Sequence, residues 1–158
     1  MKTVFAGSFD PFTIGHLSIV ERAVKLFGKV VVAVGYNEHK PGMWTAEQRV
    51  EAISRLFEGN PDVEVTSYQG LTATFARGQG ADALLRGVRS VSDFEYERNL
   101  ADTNREVFGV ETVFLLAEPK TAFVSSSMVR ELIHNGYDPS EYIAGDFPTK
   151  LLPPVSVL

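Results

Sequence analysis

Four places in this chain hold residues suited to gripping a polyanion: the string Gly7-Ser8-Phe9-Asp10-Pro11-Phe12-Thr13-Ile14-Gly15-His16, Lys40, the cluster Arg86-Gly87-Val88-Arg89, and Ser125-Ser126-Ser127. Together they supply cations, hydroxyls, main-chain amides at helix starts and one imidazole. That inventory matches phosphoryl or nucleotidyl transfer, which needs charge neutralisation and alignment more than a covalent intermediate. A Ser-His-Asp relay is not defensible, because Ser8 and His16 lack an evident orienting acid, with Asp10 the one that could be proposed. His16, His39 and His134 lie on separate elements without metal-ligand spacing, which argues against a protein-bound zinc. Each cluster also has a plainer reading: a βα turn with a capping histidine, a solvated loop lysine, surface arginines, a serine capping run.

The elements that must position these groups follow from periodicity. Thr3 to Ala6 is a short apolar strand, and Leu17, Val20, Ala23, Val24 and Phe27 recur at helical spacing after it. Gly7 frees the backbone between them, Asp10-Pro11 forces a turn, and the amides at Gly15-His16 suit a phosphate. Lys29 to Gly35 is a β-branched run typical of a strand covered on both faces. Tyr36 to Trp44 is a polar loop. Thr45 and Gln48 form a capping box for a second helix, stopped by Gly59-Asn60-Pro61. Val63 to Tyr68 alternates as a third strand, Thr72 to Gln79 is a short helix with Phe75 and Ala76 inward, and Ala83-Leu84-Leu85 is a fourth strand leading into Arg86.

Ser92 with Glu95 predicts a capping box for a helix carrying Phe94, Leu100, Ala101 and Phe108 and ending near Gly109. Val113 to Leu116 is a fifth strand, and Ser125 to Ser127 cap a last helix with Val129, Leu132 and Ile133 on one face. The tail from about 137 to 158, with Pro139, Pro148, Pro153 and Pro154, is irregular or at most briefly helical. Strands alternating with helices predict an α/β fold, a doubly wound five-stranded parallel sheet in one domain over 1–158. Ligands in such sheets bind beyond the carboxyl ends of the strands, and all four clusters fall on that rim.

At 158 residues, 44% hydrophobic and 22% charged, the chain is long enough for a single core. A net charge of −5 repels nucleic acid and anionic membranes, so an anionic ligand needs a local cationic cluster. No apolar run approaches the roughly 20 residues of a membrane helix. The N-terminus has no signal-peptide pattern and there is no cysteine, so the expected compartment is the cytoplasm.

The first string resembles the nucleotidyltransferase superfamily with a T/HxGH signature, here Thr13-Ile14-Gly15-His16. Together with Leu85-Arg86-Gly87-Val88-Arg89, Asp93-Phe94-Glu95-Tyr96-Glu97 and Val124-Ser125-Ser126-Ser127, in the same order and at similar spacing, it resembles the phosphopantetheine adenylyltransferase family over nearly the whole chain. The resemblance implies a Rossmann-like nucleotidyltransferase fold and catalytic roles for His16, Lys40 and Arg86. ATP would lie against Ser8, Phe9, His16, Gly87, Val88, Arg89, Glu97 and the segment Thr121, Ala122, Phe123, Val124, Ser125, Ser126 and Ser127. Phosphopantetheine would be held by Ser8, Lys40, Thr72 and Arg86. The resemblance further implies magnesium carried with the triphosphate rather than in a carboxylate cage, a hexameric assembly, and coenzyme A as a possible feedback ligand. Ile14 stands where many relatives carry a polar residue, and Ser8 where threonine is commoner. A nicotinate-mononucleotide adenylyltransferase, a cytidylyltransferase and a nucleotide-binding regulator without catalysis remain the alternatives.

Overall fold

The computed structural model describes residues 1–149; Pro153 and Pro154 of the expected tail lie outside the described residues. The elements alternate as β1 (Lys2–Gly7), α1 (Ile14–Phe27), β2 (Lys29–Gly35), α2 (Ala46–Leu56), β3 (Val63–Tyr68), α3 (Thr72–Gly78), β4 (Ala83–Val88), α4 (Val91–Phe108), β5 (Glu111–Leu116) and α5 (Ser126–His134). The five strands are parallel in the order β3-β2-β1-β4-β5. Winding proceeds outward through β2 and β3, then reverses across β1 to β4 and β5, so the switch point lies between the carboxyl ends of β1 and β4.

The strand period of two sorts the core into two layers. Phe5, Val30, Val32, Val34 and Leu85 pack with Ile19, Val20 and Ala23 of α1, Ala52 and Ile53 of α2, and Val129 and Ile133 of α5. Val4, Ala6, Val31, Ala33 and Leu84 face the other way, onto Ala73 and Ala76 of α3. Because helices cover both faces, β2 is continuously apolar, with Val30 to Val34 all buried.

Two expectations are corrected. β4 runs on through Val88, so Arg86 and Gly87 belong to the strand end rather than to a loop after it. There the missing side chain of Gly87 admits α1: a Cβ would sit 3.2 Å from Ile19 Cγ1. The Ser92–Glu95 capping box does not form. Ser90 is the N-cap of α4 and accepts from the Asp93 amide, so the helix begins earlier and its one buried residue is Glu97, while Phe94 and Leu100 stay exposed. The tail from 137 to 149 holds no helix and works as a strap. Ile143 bridges Thr13, the Ala144 amide donates to the Phe12 carbonyl, and Phe147 packs edge-on against Trp44, whose indole N–H donates to the Pro148 carbonyl.

Trp44 ends the polar loop after β2 and is buried. Its amide and that of Met43 both donate to the Asp10 carboxylate, at 3.0 and 2.8 Å. This close docking requires a glycine next door, because a Cβ on Gly42 would lie 2.6 Å from Asp10 Oδ2. Gly42→Ala is therefore expected to destabilise the chain by about 1–3 kcal/mol, the usual size of an overpacking penalty. A lower urea midpoint at unchanged slope checks it.

Candidate functional site

The turn after β1 is built around aromatic rings. Phe9 has a positive φ of 49°, a left-handed conformation that costs a bulky residue on the order of 1–3 kcal/mol. Packing compensates, since the Phe9 ring is buried between Phe5 and Phe12, with centroids 5.1 and 5.2 Å away. All three rings also face His16, Phe9 edge-on at 5.0 Å. The start of α1 is a reciprocal cap in which histidine replaces the usual Glu or Gln: Thr13 Oγ1 accepts from the His16 amide, and His16 Nδ1 accepts from the Thr13 amide at 3.0 Å. The capping and functional readings of His16 thus coincide.

That cap fixes the imidazole's chemistry. With Nδ1 accepting, the neutral ring carries its proton on Nε2 as a donor. Desolvation by the aromatic wall, then the charges of Arg89 and Arg86, push the His16 pKa down to about 3. The group's share of stability is therefore fully present above the ordinary value of 6.5 and is lost as pH falls towards about 3. The expected slope over that window is up to about 1.4 kcal/mol per pH unit. Urea midpoints measured across it should fall less steeply for His16→Gln than for the parent chain.

A cavity of about 330 Å³ opens at the switch point. Of the expected nucleotide residues, Ser8, Phe9, His16, Gly87, Arg89, Glu97, Thr121, Val124, Ser125, Ser126 and Ser127 line it, together with Arg86. Val88 is buried behind the wall, Ala122 is outside, and Phe123 is exposed and packs edge-on against Tyr142. The start of α5 reaches the cavity because Ser125 caps the Met128 amide and Ser126 Oγ donates to the Pro11 carbonyl at 2.7 Å.

A second cavity, of about 340 Å³, lies between the turn, the ends of β2 and β3, and the 36–44 loop, and it is lined by Lys40, Arg49, Asp10, Tyr68 and again Ser8. Lys40 and Arg86 therefore stand in neighbouring cavities with Ser8 as the shared wall. Thr72 lines neither one; its hydroxyl is 2.7 Å from the Tyr68 hydroxyl, which faces the second.

Arg86 and Arg89 both have their forks turned to carboxylates. Arg86 donates through Nε and Nη2 to both oxygens of Glu97, at 2.7 and 2.6 Å, so Glu97 holds this arginine. Burial would lower the Arg86 pKa, but the Glu97 carboxylate outweighs it and the net direction is up. Arg89 rests on Asp93 at 3.1 Å, with Nη1 towards the Val124 carbonyl. Asp10 spends its carboxylate on Met43 and Trp44 and so does not orient His16; the Thr13 amide does.

Sequence reasoning missed Arg49 and Arg130. Arg130 lines the first cavity and donates to the Asp10 carbonyl at 2.7 Å and to Ser127 Oγ at 3.2 Å. Its position one turn beyond the serine run, on the same side of α5, was the available signal. Arg49 is buried and donates to the Ser8 carbonyl at 2.5 Å. Arg86 Nη1 donates to the Ala6 carbonyl, also at 2.5 Å. Three guanidiniums from three elements thus grip the alternate carbonyls of Ala6, Ser8 and Asp10.

No group of three or more His, Cys, Asp or Glu side chains that could hold a metal ion occurs among the described residues. The two carboxylates of the first cavity, Asp93 and Glu97, are paired to Arg89 and Arg86. No helix among the described residues is long and apolar enough to cross a membrane.

A family model described as cytidylyltransferase-like matches residues 4–132. A phosphopantetheine adenylyltransferase of Porphyromonas gingivalis is 51% identical over 144 residues, covering 91% of this chain and 94% of the relative. One of Bacteroides thetaiotaomicron is 45% identical over 142 residues, covering 90% and 94%. Among solved structures, a bifunctional NMN adenylyltransferase/ADP ribose pyrophosphatase from Francisella tularensis superposes with a TM-score of 0.64 at 16% identity. That likeness is of fold, and it covers 93% of this chain but 46% of the larger protein. Identity near one half over almost the full length of both chains, on a nucleotidyltransferase-like fold, means that this chain belongs to the phosphopantetheine adenylyltransferase family and is a nucleotidyltransferase.

Proposed function

We propose that this enzyme transfers the adenylyl group of ATP to 4'-phosphopantetheine, releasing pyrophosphate and giving dephospho-coenzyme A. The observation that carries this reading is the pair of cation-lined cavities that meet at Ser8. MgATP occupies the first, with its phosphates towards Arg89, Arg130 and the start of α5. The acceptor lies along the second, its phosphate between Lys40 and Ser8 and within reach of Arg86. A phosphate oxygen of the acceptor attacks the α phosphorus in line, the α–β bridging P–O bond breaks, and pyrophosphate leaves. The acceptor phosphate is already anionic near neutral pH, so no general base is needed. The Nε2–H of His16 and the amides at the start of α1 donate to the α-phosphoryl oxygens as charge builds there.

Pyrophosphate release is the test, with phosphopantetheine and nicotinate mononucleotide offered in parallel. Turnover with the first acceptor is expected. Turnover confined to the second, or ATP binding without turnover, would reject the assignment.

On the same reading the enzyme acts in the cytoplasm and coenzyme A competes at the acceptor cavity, which a rise in acceptor KM with added coenzyme A would register. Exposed Val91, Tyr96, Leu100 and Val107 on α4 support self-association into the hexamer expected of the family. Sedimentation velocity measures it.

A further inference from the structure

Arg49 is 4% exposed and, among the described residues, no carboxylate receives its side chain; all four side-chain hydrogen bonds go to main-chain carbonyls. Nε donates to Trp44 at 3.2 Å and Thr45 at 3.3 Å, and Nη1 to Ser8 at 2.5 Å and Gly35 at 3.4 Å. Gly35 and Trp44 bracket the loop that carries Lys40, and Ser8 is the wall common to both cavities. Burial depresses the Arg49 pKa and Asp10 opposes that, yet a guanidinium stays protonated, so the charge is held under the turn. Lysine could not span these acceptors, because its single ammonium lacks the planar fork.

We propose that Arg49 is a positioning residue for adenylyl transfer: it fixes the separation between Ser8 and the Lys40 loop, and through it the placement of the acceptor phosphate against the α phosphorus. The proposal rests on the two-cavity reading above. A fork joined to both ends of a loop and to the opposing wall makes the acceptor cavity rigid, while the nucleotide cavity keeps its own supports in Arg86 and Arg130. Losing Arg49 therefore weakens acceptor handling selectively.

Arg49→Ala removes all four of these side-chain hydrogen bonds and is expected to cost the fold, so Arg49→Lys is the informative variant. With the folded state verified by its urea midpoint, the acceptor KM is expected to rise about tenfold or more, equivalent to about 1.4 kcal/mol. MgATP affinity measured without acceptor should stay within about twofold, since positioning energy of this kind is spent on the acceptor alone. Amide exchange of residues 37–44 in the free enzyme should accelerate. A uniform loss of turnover with unchanged acceptor KM overturns the proposal in favour of a scaffold role. A raised KM with unchanged exchange overturns it in favour of direct contact with the acceptor. If the parent enzyme rejects phosphopantetheine, the functional reading fails by itself; faster exchange of 37–44 with intact MgATP affinity still supports the positioning role, and unchanged exchange overturns it.

Discussion

His16→Ala is expected to fold and bind MgATP but to lose at least about 10²- to 10³-fold in turnover, the usual cost of removing one preorganised donor from a water-poor site. The imidazole is neutral, with its pKa near 3, and Nδ1 is engaged by the Thr13 amide. It can therefore neither take a proton nor offer a full charge; what it offers is one fixed N–H. A glutamine can present an amide N–H at a similar reach. His16→Gln should recover part of the activity, whereas a general-base role would leave both variants equally inactive. Single-turnover rates separate the chemical step from binding. Recovery confined to MgATP affinity would sink the donor assignment.

Arg86→Ala is expected to lose both stability and activity, for different reasons. The Glu97 side chain is 10% exposed and its two oxygens are satisfied by Arg86. Removing the arginine leaves a nearly buried carboxylate without a partner and strands the Ala6 carbonyl. Breaking a buried pair costs about 3–5 kcal/mol, and the low end applies because Arg86 keeps part of its surface in water. Combining it with Glu97→Gln neutralises the orphaned charge, so the double variant should regain much of the lost stability. Turnover should remain down by roughly 10²-fold in both, because neither can present a guanidinium to the acceptor phosphate. Chemical denaturation and pyrophosphate release, measured on the same preparations, give the two numbers. Recovery of turnover along with stability would mean that Arg86 acts only by holding the fold.

The parts of this molecule written in local chemistry were legible in the chain. β2 is apolar without interruption because both its faces are covered. Thr45 and Ser125 stand at the helix starts they cap. The site residues at the first turn and at Ser125 to Ser127 follow from those starts and from the winding of the sheet. Interactions across the sequence were not legible. Arg86-Gly87 reads as loop because it is polar and flexible, yet its pairing with β5 extends β4 to Val88. The resemblance assigns Glu97 to the nucleotide, but nothing along α4 announces the bidentate pairing with Arg86 that accounts for its burial. Arg49 and Arg130 look like the ordinary cations of amphipathic helices; their targets are carbonyls 41 and 120 residues away.

Those distances bear on how the enzyme acquires its ligands. A turn whose carbonyls are clasped from α2, β4 and α5 exists only when chain segments spanning most of the sequence have already closed. Binding competence then arises in the last cooperative step, and a nascent chain released before α5 should ignore nucleotide altogether. Since nucleotide recognises only the completed molecule, its free energy adds to the global unfolding equilibrium. Saturating MgATP should accordingly slow amide exchange deep in β1 and β4 as much as at the rim.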